Sequence, residues 1–87
     1  MPPIVALPIS LYVSGRRVVL VGAGRGATER LERLRAAEAE VVHVDPADYR
    51  PELVRSAFAV IANDDDDQLN RRVAADARAA GALAYAH

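Results

Sequence analysis

The chain has 87 residues, of which 52% are hydrophobic and 26% charged, and its formal net charge is -1. This size and composition predict one globular domain over residues 1–87, and the balanced charge argues against a nucleic-acid partner. The lack of cysteine excludes disulfides and thiol catalysis. No apolar run approaches the roughly 18 residues of a membrane span, so we expect no membrane partner and a cytoplasmic location.

The N-terminal half predicts an arm followed by a βαβ unit. Residues 1–14 contain three prolines before the turn signal at Gly15, which indicates an extended arm that packs on the domain. The β-branched run Val18–Val21 is typical of a strand buried on both faces. An amphipathic helix is predicted from Arg25 to Ala37, and Val41–Val44 is the second strand.

The C-terminal half continues the alternation of strands and helices. A connecting helix is predicted at Pro51–Arg55 and a third strand at Ala57–Ala62. A second long helix is predicted from Asp67 to Ala80, stopped by Gly81, and Leu83–Ala86 can form a last strand. The fold class is therefore α/β and Rossmann-like, with a small parallel sheet of three to four strands flanked by helices.

The strongest functional motif is G-x-G-x-x-A, formed by Gly22, Gly24 and Ala27 between the first strand and its helix. Gly22 permits a tight turn, Gly24 lets the backbone approach a pyrophosphate, and Ala27 lets the helix lie close to the sheet. Backbone N–H groups and the helix dipole favour phosphate at such a turn. We predict that it holds the pyrophosphate of NAD; the alternative is a glycine-rich turn that only joins strand to helix.

Asp45 ends the second strand, 21 positions after Gly24. An acidic side chain there can accept hydrogen bonds from both ribose hydroxyls and repel a 2′-phosphate, which favours NAD over NADP. The alternative is that Asp45 only begins an Asp-Pro turn with Pro46.

Four consecutive acids, Asp64–Asp67, follow the third strand. Successive residues entering a helix point in different directions and no other ligand accompanies them, so helix capping explains them better than a metal site. Asn63 and Asp64 also stand at the strand edge where open α/β sheets bind ligands. His43 lies in an apolar strand and is predicted to be packed with its ring hydrogen-bonded. No catalytic residue is assigned, since no Ser/His/Asp pattern or cysteine supports nucleophilic catalysis.

Two stretches carry a family resemblance. Leu7-Pro8-Ile9-x-Leu11, continuing through Gly15 to Ala27, resembles the opening of the siroheme synthase N-terminal domain. Val60–Asp66 with Leu69–Val73 resembles a later strand and helix of the same family. These proteins are precorrin-2 dehydrogenases, some of which are also sirohydrochlorin ferrochelatases.

The resemblance implies a homodimeric, NAD-dependent enzyme with a tetrapyrrole substrate. Matched position by position, it implies cofactor contacts from the phosphate loop and from the loops after two strands. These residues are Gly22, Gly24, Arg25, Gly26, Ala27, Asp45, Pro46, Asn63 and Asp64.

The chain departs from the family pattern at several points. The family has a further helix and strand after the position of Pro46, so we expect a sheet one strand shorter. The family's catalytic Asp would stand one position beyond His87, and Tyr85 replaces a common Asn. We therefore expect the chain alone to lack the catalytic half and to be inactive.

Two other functions remain open. The glycine loop, the acid after the second strand and the strand running into aspartates are also similar to NAD-sensing domains of potassium-transport regulators. The Leu7-Pro8 arm and the Asn70–Val73 pattern favour the dehydrogenase resemblance over this alternative. The last alternative is a non-catalytic remnant or interaction domain that keeps the fold without the site.

Overall fold

The computed structural model describes residues 11–86, so most of the predicted arm and His87 lie outside the described residues. The α/β prediction is confirmed, and most predicted boundaries agree within one residue. The third strand begins two residues later than predicted. The main elements are β1 (Arg17–Val21), α1 (Arg25–Ala36), β2 (Glu40–Val44), β3 (Ala59–Ala62), α2 (Asp67–Ala79) and β4 (Leu83–Ala86).

The four strands form one parallel sheet in the order β2-β1-β3-β4. The order in which strands are added reverses between β1 and β3. The chain passes from β1 through α1 to β2 on one side, and β3 then pairs with the other side of β1. Val21 pairs with Val44 of β2 and with Ala62 of β3, so these three strands end at one level. Ligands of open α/β sheets bind at such a reversal, beyond the carboxyl ends of the strands.

The two helices cover opposite faces of the sheet. Val18 and Leu20 pack with Leu34 of α1, whereas Val19 and Val21 pack with Val73 of α2. Because β1 is central and covered on both sides, four successive side chains from Val18 to Val21 are fully buried. This burial explains the continuous apolar run, which an edge strand facing water on one side would not require.

The connection from β2 to β3 consists of two short 3-10 helices, Pro46–Asp48 and Pro51–Val54. The connecting helix predicted over Pro51–Arg55 is therefore only one 3-10 turn, because the chain must become extended again within a few residues. Val54 buries its side chain in the core on the α2 side and anchors this connection. Within residues 11–86 no strand pairs with the outer edge of β2, in agreement with the expected shorter sheet.

Both ends of α2 follow the sequence signals. The Asp66 carboxylate caps the helix by accepting hydrogen bonds from the N–H groups of Gln68 (3.0 Å) and Leu69 (3.3 Å). Gly81 has φ +82°, and the N–H of the next residue, Ala82, donates to the Ala77 carbonyl. This arrangement is a Schellman motif, and it confirms the predicted glycine stop.

The α1 side of β3 and β4 carries exposed apolar surface. Leu83 and Tyr85 are about half exposed there, and a cavity of about 590 Å³ lies between them and α1. Of the arm's described residues, Val13 packs against the core, whereas Tyr12 is 93% exposed. No helix within residues 11–86 has the length and apolarity needed to cross a membrane.

Candidate functional site

The turn between β1 and α1 brings backbone very close to the end of β3. Gly22 has φ +145°, and a Cβ atom placed on it would lie 2.3 Å from the carbonyl oxygen of Asn63. Gly24 has φ +99°, but a Cβ placed there would lie more than 4 Å from any described residue other than its chain neighbours. Packing and conformation thus both require glycine at position 22, whereas position 24 requires it for conformation and faces open space.

The N-terminus of α1 is left available by this turn. Its N-cap residue, Gly24, supplies no side-chain cap, and the first turn contains no acidic residue. The first intrahelical bond is made by the N–H of Thr28, so the preceding N–H groups of Arg25, Gly26 and Ala27 have no partner within the helix. Ala27 is 1% exposed, and its small side chain lets the helix start close to the sheet. N–H groups without a partner in the part of the chain that the structure describes, together with the helix dipole, make this end suitable for phosphate.

Asp64, after β3, is tied directly to the glycine turn. Its Oδ1 accepts a hydrogen bond from the Ala23 N–H at 3.0 Å, and its Oδ2 accepts one from the Asp66 N–H at 3.1 Å. The buried side chain of Asn70 holds the Asp64 backbone, accepting from its N–H at 3.0 Å and donating to its carbonyl at 2.8 Å. The loops after β1 and β3 therefore form one hydrogen-bonded unit.

Asn63 lies between the two loops and is only 7% exposed. Its side-chain amide approaches the backbone at Gly26, since a Cβ on that glycine would lie 3.4 Å from Asn63 Oδ1. The Asn63 amide also lines a small cavity of about 160 Å³ with Glu29, Arg30 and Arg33 of α1. This position gives a polar, partly enclosed surface beside the turn.

Asp45 and Pro46 lie at the end of β2, on the same sheet edge. The turn that follows is closed by the backbone, with the Asp48 N–H donating to the Asp45 carbonyl at 2.9 Å. The Asp45 side chain makes no capping hydrogen bond and is exposed, while Pro46 is half-buried as the first residue of the 3-10 helix. The turn therefore does not occupy the Asp45 carboxylate, which remains open to a ligand.

Residues 9–87 match the family described as "Putative NAD(P)-binding". The chain belongs to this NAD(P)-binding family. The match spans almost the whole described domain and supports a nicotinamide cofactor. A search of curated proteins finds no match to the chain.

The residues of this NAD(P)-binding domain fit the chemistry of a dinucleotide. Open space at Gly24 and unpaired N–H groups at the start of α1 suit a pyrophosphate, and a carboxylate at the end of β2 suits ribose hydroxyls. The nine residues named from the sequence lie directly after β1, β2 and β3 or in the first turn of α1, and these three strands end at one edge of the sheet.

His43 differs partly from its sequence prediction. Its ring is hydrogen-bonded, as predicted, with Nε2 2.8 Å from the Gly22 carbonyl oxygen. Since a carbonyl only accepts, Nε2 carries the proton in this bond. The side chain is exposed rather than packed, because β2 is an edge strand and α1 does not cover its end.

The acidic residues after β3 make different hydrogen bonds. Asp66 caps α2, which confirms the capping interpretation for that residue, and Asp64 binds the glycine turn instead. Within residues 11–86 no three acidic or histidine side chains are grouped as metal ligands. The contribution of Asn70 was not predicted; its only signal was a polar residue in the inward helical series with Val73, Ala74 and Ala77.

Proposed function

We propose that this domain binds NAD as the cofactor part of a precorrin-2 dehydrogenase of siroheme biosynthesis. One observation carries the cofactor half of the proposal: the uncapped start of α1 directly follows the Gly22–Ala27 turn at the reversal point of the sheet. The family match supports a nicotinamide cofactor, and the resemblance of two stretches to the siroheme synthase N-terminal domain supports the reaction.

The pyrophosphate would be held by the start of α1. The N–H groups of Arg25, Gly26 and Ala27 supply donors, and the exposed Arg25 guanidinium can pair with a phosphate oxygen. The lack of a side chain at Gly24 keeps this approach open. No acidic side chain in the first turn of α1 opposes the phosphate charge.

NAD, rather than NADP, is favoured by Asp45. Its carboxylate can accept hydrogen bonds from ribose hydroxyls and would repel a 2′-phosphate. Because the turn at Pro46 is closed by backbone atoms, the structure offers no competing hydrogen bond for this carboxylate among the described residues. Asn63, at the end of β3, is the polar residue on the other side of the reversal point, where the nicotinamide half would lie.

When bound, NAD⁺ would supply the acceptor for the hydride removed in the oxidation of precorrin-2 to sirohydrochlorin, and one proton would be released to solvent. The residues described here bind and orient the cofactor, and none is assigned a proton-transfer role. A homodimer is part of the proposal; the outer edge of β4, with which no strand pairs within residues 11–86, and the exposed Leu83 and Tyr85 offer surface for a second copy.

Calorimetric titration of the purified chain with NAD and, separately, with NADP tests the cofactor proposal. We expect saturable binding that prefers NAD and is lost in Gly24→Val, where a branched side chain would enter the pyrophosphate space. Gly15→Val is the matched control, since Gly15 also has positive φ (+71°) and a Cβ on it would meet no described residue within 4 Å apart from its chain neighbours, but it lies before β1.

Loss of NAD binding in Gly24→Val alone would support the phosphate site. Equal loss in both variants would attribute the effect to backbone strain. Absence of binding by the unmodified chain at millimolar NAD would contradict the proposal and favour a remnant that has kept only the fold. The reaction itself requires a separate assay, with precorrin-2 and NAD followed by the absorbance of NADH.

A further inference from the structure

Asn70 uses its whole side-chain amide to hold one residue of the adjacent loop. Its Oδ1 accepts from the Asp64 N–H at 3.0 Å, and its Nδ2 donates to the Asp64 carbonyl at 2.8 Å. Asn70 is 2% exposed and stands in the inward helical series of α2, where its neighbours are apolar. The Asn70 ends of these two bonds are buried, where an unmet donor or acceptor is costly.

The two hydrogen bonds between Asn70 and Asp64 are separate from the capping of α2. Asp66 already satisfies the first N–H groups of the helix, so Asn70 is not needed for that purpose. Asn70 instead holds the backbone of Asp64, whose carboxylate accepts a hydrogen bond from the Ala23 N–H at 3.0 Å. A continuous series of hydrogen bonds thus runs from the core side of α2 to the glycine turn.

We infer that Asn70 is a positioning residue for dinucleotide binding, acting through Asp64 on the turn after β1. The inference rests on the proposed function and extends it to a residue that is not among the nine predicted cofactor contacts. By occupying the Ala23 N–H, Asp64 fixes the start of the turn and leaves the N–H groups from Arg25 onward for phosphate. Holding a loop in its binding conformation lowers the ordering cost of association and so raises affinity.

The test compares Asn70→Ala with Val73→Ala, which shortens another buried side chain of α2 but removes no hydrogen bond to Asp64. Both variants should unfold at lower urea concentration than the unmodified chain. Only Asn70→Ala should weaken NAD binding, by about tenfold, because the loop that it no longer holds must then be ordered when NAD binds. Equal weakening in both variants, or a change below twofold in Asn70→Ala, would overturn the inference.

Hydrogen exchange of the Ala23 amide, followed by NMR on the free protein, gives a readout that does not depend on NAD. Protection should be present in the unmodified chain and in Val73→Ala but reduced in Asn70→Ala. If the unmodified chain binds no NAD and this pattern still holds, the proposed function fails while the loop-positioning contact stands. Unchanged protection in Asn70→Ala would refute the positioning contact itself.

A double variant tests whether Asn70 acts through Asp64. In an Asp64→Ala background the Ala23 N–H has already lost its acceptor, so adding Asn70→Ala should change NAD affinity no further. Additive losses would show that Asn70 affects the site by another route and would contradict the inference. If Asn70→Ala fails to fold, Asn70→Asp takes its place in the test. It keeps an acceptor for the Asp64 N–H but loses the donor to the Asp64 carbonyl, so its NAD affinity should be lower than that of the unmodified chain.

Discussion

The Cα of Gly22 and the carbonyl group of Asn63 are packed so closely that a single methyl group cannot be placed between them. A Cβ on Gly22 would lie 2.3 Å from that carbonyl oxygen and 2.6 Å from its carbon. Gly22 and Asn63 directly follow the paired strands β1 and β3, and their N–H groups donate to the carbonyls of Val44 and Val21, so neither residue can move away without disturbing the end of the sheet. This contact joins the two loops at the centre of the candidate site.

Gly22→Ala is therefore expected to destabilise the fold, independently of any ligand. Overpacking and the positive φ of +145° both oppose the methyl group, and together they should lower the free energy of unfolding by about 3 kcal/mol. Gly15→Ala, at a positive φ with open space, should cost only about 1 kcal/mol. Urea unfolding of both variants measures the difference. Equal losses of unfolding free energy would mean that the Asn63 backbone moves aside at no cost and that the close contact is not what requires glycine.

Removal of the α2 cap should weaken the fold through the helix rather than the sheet. Asp66→Ala leaves the N–H groups of Gln68 and Leu69 without their acceptor, and we expect a loss of about 1 kcal/mol in unfolding free energy. Asp65→Ala is the matched control, because Asp65 is an exposed acid beside it that makes no side-chain hydrogen bond within the described residues. A loss of the same size in both variants would indicate a general charge effect instead of a cap.

Tyr49 should make the protein sensitive to alkaline pH. Burial, together with a 2.6 Å hydrogen bond donated to Asp76, raises the pKa of Tyr49 above its usual value of 10.0. Above pH 10 the unfolded chain loses this proton while the folded chain keeps it, so the unfolded state binds fewer protons and stability falls as pH rises. Below pH 10 the same group contributes no pH dependence.

Tyr49→Phe tests this linkage by urea unfolding on both sides of pH 10. At neutral pH the variant should lose about 1 kcal/mol with the hydrogen bond to Asp76, and this difference should shrink as pH rises above 10. Tyr12→Phe should leave unfolding at neutral pH unchanged, since Tyr12 is 93% exposed. A constant difference between Tyr49→Phe and the parent at all pH values would contradict the raised pKa.

The fold could be predicted where local pattern and burial agree. Val18–Val21 was predictable because a central strand excludes water on both faces, and Gly81 because a positive φ ends α2. The segment after Pro46 was less predictable, because its 3-10 turns depend on Val54 reaching the core from a short connection. No periodic signal in four or five residues distinguishes such a turn from a short helix.

The sequence indicated the residues of the candidate site but not the hydrogen bonds that join them. The glycine spacing indicated the turn, and strand ends indicated Asp45 and Asn63. The contact of Asp64 with Ala23 joins residues 41 positions apart, and it exists only because β1 and β3 are neighbours in the sheet. Side-chain partners of this kind depend on the strand order, which the sequence of local patterns does not specify.

The last prediction concerns cofactor choice at the end of β2. Asp45→Ser removes the negative charge but keeps a small hydroxyl, so NAD affinity should fall by about tenfold while NADP affinity rises, as a 2′-phosphate is no longer repelled. Asp48→Ser is the matched control, because Asp48 is an exposed acid three residues later in the same turn. Calorimetric dissociation constants for both nucleotides give the ratio directly. If Asp45→Ser leaves that ratio as it is in the unmodified chain, or if Asp48→Ser changes it equally, Asp45 is only a turn residue and the preference for NAD must come from elsewhere.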